Sequence, residues 1–317
     1  MRKALIVGID YYENINRLHG CVNDAYAVKN VLERHGDGSP NFGVNTVVSS
    51  DASSPVDRRK LKDLVSELFK DDADIALFYF SGHGYIESTG GYLITSECSD
   101  GDDGFSMDEL LTIANASKAK NKVVILDCCH SGAAGNPSLA PDKSYLSEGV
   151  TILTASAKEQ YSIENGGSGV FTSLFVDALN GSASNLVGDI TPGSVYAHID
   201  QSLGPWEQRP IFKTNVKRFI SLREVRPPID LEDLRKIKEV FPDTTHIFPL
   251  NPSFEPTSDE PNDKNTDIFA LLQKYNRINL VKPVDEEHMY FAAMNSAGCK
   301  LTVLGAHYWN LVSKDRI

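Results

Sequence analysis

Three apolar runs limit what this chain can fold into more than any other feature. Residues 3–9 (KALIVGI), 75–80 (IALFYF) and 123–127 (VVILD) are nearly continuous rather than alternating, and rich in β-branched side chains. A strand with one wet face alternates; a strand buried on both faces does not, and such strands belong to parallel sheets. Two further β-like runs lie at 44–48 and 150–154. Helix-like stretches separate them. Residues 23–35 open on Asn23-Asp24, a candidate N-cap, with Ala25, Val28, Val31 and Leu32 at helical spacing. Residues 57–69 carry Leu61, Leu64, Val65 and Leu68, and 106–115 begin with Ser106 and Glu109 in a capping-box pattern. Residues 171–180 and 192–203 complete the set, the second after Thr191-Pro192. Alternating β and α elements predict an open, mostly parallel sheet with helices on both faces, an α/β/α sandwich.

The pattern changes after residue 222. Residues 226–263 hold seven of the fifteen prolines, and 251–267 (NPSFEPTSDEPNDKNTD) is polar and acidic, so 226–263 reads as a linker. An amphipathic helix at 268–281, short apolar elements at 287–294 and 299–304, and a final helix opened by Thr302 follow. The reading is therefore one domain at 1–225, a proline-rich linker at 226–263 and a small module at 264–317.

Charge narrows the function. A net −12 repels phosphate backbones and anionic membranes, which argues against nucleic acid and membrane partners. The apolar run at the N-terminus stops at Asp10 and reads as a buried first strand rather than a signal peptide. Five cysteines, two of them adjacent and none in a CxxC pair, suit a reducing cytoplasm with neither a disulfide framework nor a structural metal site. No GxGxxG or GxxxxGK[ST] loop occurs, which removes the common nucleotide-binding classes.

The chemistry concentrates where an open α/β sheet places ligands, at the carboxyl ends of strands. Ser81-Gly82-His83-Gly84 follows one doubly buried run, and Asp127-Cys128-Cys129-His130-Ser131-Gly132 ends another. A cysteine facing a histidine from the next strand end suits nucleophilic catalysis: the imidazole takes or balances the thiol proton and the thiolate attacks a carbonyl carbon. Adjacent residues at a strand end point to opposite sides, so Cys128 and Cys129 cannot both face the histidine.

These two motifs together resemble the caspase-like cysteine proteases of the peptidase C14 type, and most closely the metacaspase and prokaryotic orthocaspase branch. Leu18-His19-Gly20-Cys21-Val22-Asn23-Asp24-Ala25, Gly169-Val170-Phe171-Thr172 with Ala178-Leu179, and Gln208-Arg209-Pro210 extend the resemblance over about residues 1–222. The resemblance implies a caspase-haemoglobinase-like fold for this part of the chain. It implies His83 as base or ion-pair partner, Cys129 as nucleophile, and the N–H groups of Gly84 and Cys129 as the oxyanion hole. It places Asp24 and Asp127, with Cys21 and Ser81, around the substrate residue before the scissile bond. Two carboxylates in one pocket suit a cationic guest, so cleavage of protein substrates after Arg or Lys is expected. The plainer readings stand beside these: Asp24 as a helix N-cap, Asp127 as a turn residue, and Cys21, like Cys98 and Cys299, as packing.

Many metacaspases bind calcium through several aspartates. Here the stretch 96–108 (SECSDGDDGFSMD) aligns poorly, Asp108 being its best match, and position 136 is Asn136. No metal or other cofactor is expected, and calcium dependence should be weak or absent. The segment 133–149 carries Lys143 as its only basic residue, a candidate processing site for a zymogen that is activated by itself, by an upstream protease or by another protein. By analogy the setting is a prokaryotic stress, cell-death or antiviral pathway. The C-terminal module resembles a winged helix, but residues 226–317 hold 11 Lys+Arg against 14 Asp+Glu, which favours protein docking over DNA. The alternative function is a catalytically silent caspase-like scaffold or regulator that binds through this module. The sequence is silent on oligomeric state.

Overall fold

The computed structural model describes residues 1–128, 134, 145–155, 164–165, 168–204 and 209–317. They divide into two units, Met1–Arg226 and Pro227–Ile317.

In chain order the first unit runs β1 (Arg2–Ile9), α1 (Cys21–Leu32), β2 (Gly43–Ser49), α2 (Arg58–Lys70), β3 (Ile75–Ser81), β4 (Gly84–Glu87), β5 (Gly90–Leu93), α3 (Met107–Ala116), β6 (Asn121–Asp127), β7 (Val150–Thr154), α4 (Val170–Asp177), α5 (Pro192–Ser202) and β8 (Ile211–Asn215). The central sheet has the order β8-β7-β6-β3-β1-β2, and every pairing is parallel except that of the edge strand β8 with β7. The five β-like runs of the sequence are β1, β2, β3, β6 and β7, each within two residues of its expected ends.

Their continuous apolarity has a simple cause: each strand feeds two cores. Leu5, Val7 and Ile9 of β1, Ala76, Phe78 and Phe80 of β3, and Val124 and Leu126 of β6 pack beneath α2 and α3. Ala4 and Ile6, Ile75, Leu77 and Tyr79, and Val123 and Ile125 pack on the other face beneath α1, α4 and α5. Burying one such side chain contributes about 1.5–3 kcal/mol, so both layers have a strong hold on the sheet.

One helix start differs from expectation. α1 begins at Cys21 behind Gly20, without a side-chain cap, and Asp24 is buried inside the first turn rather than capping it. The expected caps elsewhere form: the Ser106 Oγ accepts from Glu109 N at 3.4 Å, and Thr191 and Ser194 make a reciprocal box at the start of α5.

The second unit corrects the linker reading. It runs α6 (Leu231–Arg235), α7 (Ile237–Val240), β9 (Ile247–Pro249), α8 (Asp263–Arg277), β10 (Val281–Val284), α9 (Met289–Met294), β11 (Gly298–Leu301) and α10 (Val303–Ser313). The strands form an antiparallel sheet in the order β9-β11-β10, so residues read as linker contribute a strand. Leu234, Ile237, Phe241, Leu250 and Phe254 are all buried. The prolines misled because they stand where short elements begin and end: Pro249 closes β9, and Pro252 opens a single 3-10 turn capped by Asn251. β10 and β11 pair antiparallel, with α9 between them in the chain. Among the described residues no helix is long and apolar enough to cross a membrane.

Candidate active site

Parallel pairing sets the geometry of the site. Gly8, Ser81 and Asp127 are register partners on β1, β3 and β6, so the loops after all three strands leave from one edge. His83 stands two residues past the end of β3. Its backbone N–H donates to the Tyr12 hydroxyl at 2.8 Å, and its ring tilts over the Tyr12 ring with centroids 4.7 Å apart. The Nε2 lies 2.8 Å from the Asn16 carbonyl oxygen. A carbonyl only accepts, so that bond assigns the proton to Nε2 and leaves the Nδ1 lone pair to take another. Gly82 is required by the same packing, because a Cβ there would lie 2.8 Å from the Tyr12 hydroxyl and 2.9 Å from the Phe80 ring.

The carboxylates meet on the α1–α4 face of the sheet. Asp24 and Asp127 are both buried. The N–H of Gly169, just before α4, donates to both Asp24 oxygens, at 3.2 and 3.1 Å, and the Ser81 hydroxyl donates to Oδ2 at 3.3 Å. Asp127 accepts from the Thr172 hydroxyl at 2.7 Å. Since Thr172 gives its proton to Asp127, its oxygen accepts from the Tyr79 hydroxyl, 2.5 Å away. A Cβ at Gly169 would stand 2.4 Å from Asp127 Oδ2 and 3.2 Å from Asp24 Oδ2, so both carboxylates crowd one backbone point where only glycine fits.

The surroundings register this charge. Burial first, then the charges of Asp127 and Asp24, push the Tyr79 hydroxyl well above its ordinary range. Burial, with Asp10, Asp127 and Asp24, pushes the Cys21 thiol far up, so Cys21 is a neutral wall beside Ser81. The structure thus brings Cys21, Asp24, Ser81 and Asp127 together. Cys128 is buried in the core under α2 and α3. Gly84 begins β4. Cys129 and Lys143 lie outside the described residues. In the acidic stretch at 96–108, Asp103 accepts from the Ser99 hydroxyl at 3.0 Å and the Asp100 N–H at 3.2 Å, and Glu97 accepts from the Arg58 N–H at 2.7 Å.

The profile of the caspase domain matches residues 1–220. The chain belongs to the caspase-domain family. Metacaspase-1 of Debaryomyces hansenii is 27% identical over 212 residues, covering 59% of this chain and 44% of that protein. Metacaspase-4 of Arabidopsis thaliana is 31% identical over 150 residues, covering 41% of this chain and 34% of that protein. The chain therefore spans less than half the length of these curated relatives. Caspase-1 of Spodoptera frugiperda shares the fold with a TM-score of 0.52 at 16% identity, over 71% of this chain and 91% of that one.

Reading the caspase domain from its motifs alone missed Tyr12, Asn16, Tyr79 and Thr172. Thr172 sits in a recognised segment, GVFT, yet its role depends on a partner 45 residues away. The local signal was a threonine beside Phe171 in the first turn of a largely apolar helix.

Proposed function

We propose that this caspase domain is a cysteine endopeptidase that cleaves protein substrates after Arg or Lys. The convergence of two buried carboxylates on Gly169, at the edge that carries His83, supports this reading most strongly. Like charges held together in a low dielectric destabilise each other, and a guanidinium or ammonium between them relieves this. The Nδ1 of His83 takes the thiol proton of Cys129. The thiolate attacks the carbonyl carbon, and the N–H groups of Gly84 and Cys129 hold the developing oxyanion. The tetrahedral intermediate collapses with the C–N bond breaking, and His83 returns the proton to the leaving amine. Water then attacks the thioester carbonyl with His83 as base, the C–S bond breaks to release the acid, and His83 returns the proton to the Cys129 sulfur.

The test is hydrolysis of fluorogenic peptides ending in Arg, Lys or Asp. The wild type cuts the Arg and Lys peptides and spares Asp. Cys129→Ala abolishes cutting, whereas Cys128→Ala retains it because Cys128 faces the core. Cutting after Asp, or activity surviving Cys129→Ala, would sink the reading. Calcium and chelator leave the rate unchanged in this scheme. We further assign Lys143 as the processing site of a zymogen, checked by mass spectrometry of the active enzyme; an intact, fully active chain removes that step. A reducing compartment such as the cytoplasm would keep the thiol available, and the acidic second unit suits docking to a protein.

A further inference from the structure

A recess lies beside His83, and the mechanism above leaves it unused. Its volume is about 290 Å³. The inner wall is Ile15, Ile94 and Cys98, apolar and largely buried. His83, Gly84 and the Tyr85 ring form one side, and the turn Ser99-Asp100-Gly101 forms the rim. Ile94 and Cys98 belong to the core under α2 and α3, whereas the carboxylates belong to the α1–α4 face. The recess and the two carboxylates therefore lie on opposite faces of the sheet, with the end of β3 and His83 between them. In the scheme above His83 returns its proton to the leaving amine, so the residue after the cut departs on the side of His83.

We propose that this recess receives the side chain of the residue following the scissile bond, and that it selects an apolar one. The inference rests on the endopeptidase reading and deepens it. An apolar wall rewards burial of a Leu or Phe side chain. Cys98 stays neutral there, its thiol pushed up by burial and bonded to the Thr95 hydroxyl at 3.2 Å. Asp100 at the rim, with Asp102 and Asp103 next in the same turn, opposes an acidic side chain. Gly101 packs on the Tyr85 ring: a Cβ there would lie 1.7 Å from it, so a larger residue must drive that ring out of place.

The experiment uses internally quenched peptides that share a sequence through Arg and then carry Leu, Ala, Lys or Asp. The wild type should favour Leu over Ala by about tenfold in kcat/KM, as a few methylenes in an apolar pocket allow, and should disfavour Asp most. Gly101→Val reshapes the recess and Ser99→Trp fills it from the rim. Each should shrink the Leu-over-Ala ratio to about twofold while keeping the preference for Arg over Asp before the cut. Circular dichroism checks that both variants fold, and either one suffices. Equal rates on all four wild-type peptides overturn the subsite alone, as does a Leu preference untouched by a folded variant. Cutting of no peptide, even after the 133–149 segment is nicked, overturns the endopeptidase reading and the subsite together.

Discussion

Thr172 carries more of the site than its place in the sequence suggests. It links a buried tyrosine to a buried carboxylate, and removing its hydroxyl leaves Asp127 short of a charge-assisted donor. Hydrogen bonds to charged groups are worth about 1.5–3 kcal/mol, so Thr172→Val should lower stability by roughly that amount and raise KM for Arg peptides. Tyr79→Phe, one bond further out, should cost about 0.5–1.5 kcal/mol, read by urea unfolding. If both variants unfold at the wild-type midpoint, the relay has no energetic weight. The cysteines offer a chemical check. Burial pushes the Cys299 thiol up to about 12 and the Cys21 and Cys98 thiols up as well. Thiolate is the reactive form, so the native protein at pH 8 should take up iodoacetamide at Cys129 while these three stay unlabelled. Peptide mapping that finds Cys21 modified as fast as Cys129 would contradict this. His83 and the two carboxylates stand in short motifs that can be read at this scale: a glycine-flanked histidine, an aspartate that ends β6 and an aspartate beside Gly20-Cys21. Tyr12 and Tyr79 were not, since a tyrosine in a loop or in an apolar strand shows no role until its hydroxyl's partner is known.

At the scale of elements, the doubly buried strands were the most legible part of the chain. Periodicity is a local property, and a parallel strand between two helical layers has nowhere to put a polar residue. The start of α1 was less so. Asp24 has the chemistry of an N-cap, but the fold turns it inward to meet Gly169, 145 residues later. The proline-rich segment failed for a related reason: prolines mark boundaries, and five residues of helix between two boundaries look like a linker. Caps predicted from sequence can be tested where they formed. Thr302 accepts from Gly305 N at 3.0 Å and donates to the Asn279 carbonyl at 2.6 Å, tying the start of α10 to the end of α8. Thr302→Ala should cost about 1–2 kcal/mol, and Thr302→Ser should restore most of it. A Tm equal to wild type in the alanine variant would show that the cap does not hold α10.

At the scale of the molecule, each unit has its own core. Residues 227–317 bury Leu234, Ile237, Phe241, Phe269, Leu272 and Tyr275, and the Trp309 indole N–H donates to the Phe241 carbonyl at 2.7 Å. A unit with its own core can in principle fold alone. A fragment of residues 227–317 should therefore melt cooperatively by circular dichroism, and residues 1–226 should keep the cleavage of Arg peptides. A fragment 227–317 that shows no cooperative melt would mean that the division is one of shape rather than of stability.

The carboxylate pocket has one more consequence, and it concerns a chain that is still being made. Its parts come from positions 24, 81, 127, 169 and 172. A nascent chain that has reached residue 150 holds both aspartates, the histidine and the cysteine, yet lacks the backbone amide and the hydroxyl that position the two acids. Domains fold as units once their sequence has emerged. The order of residues along the chain thus works as a delay: the two acids take up their places only once most of the first unit has left the ribosome.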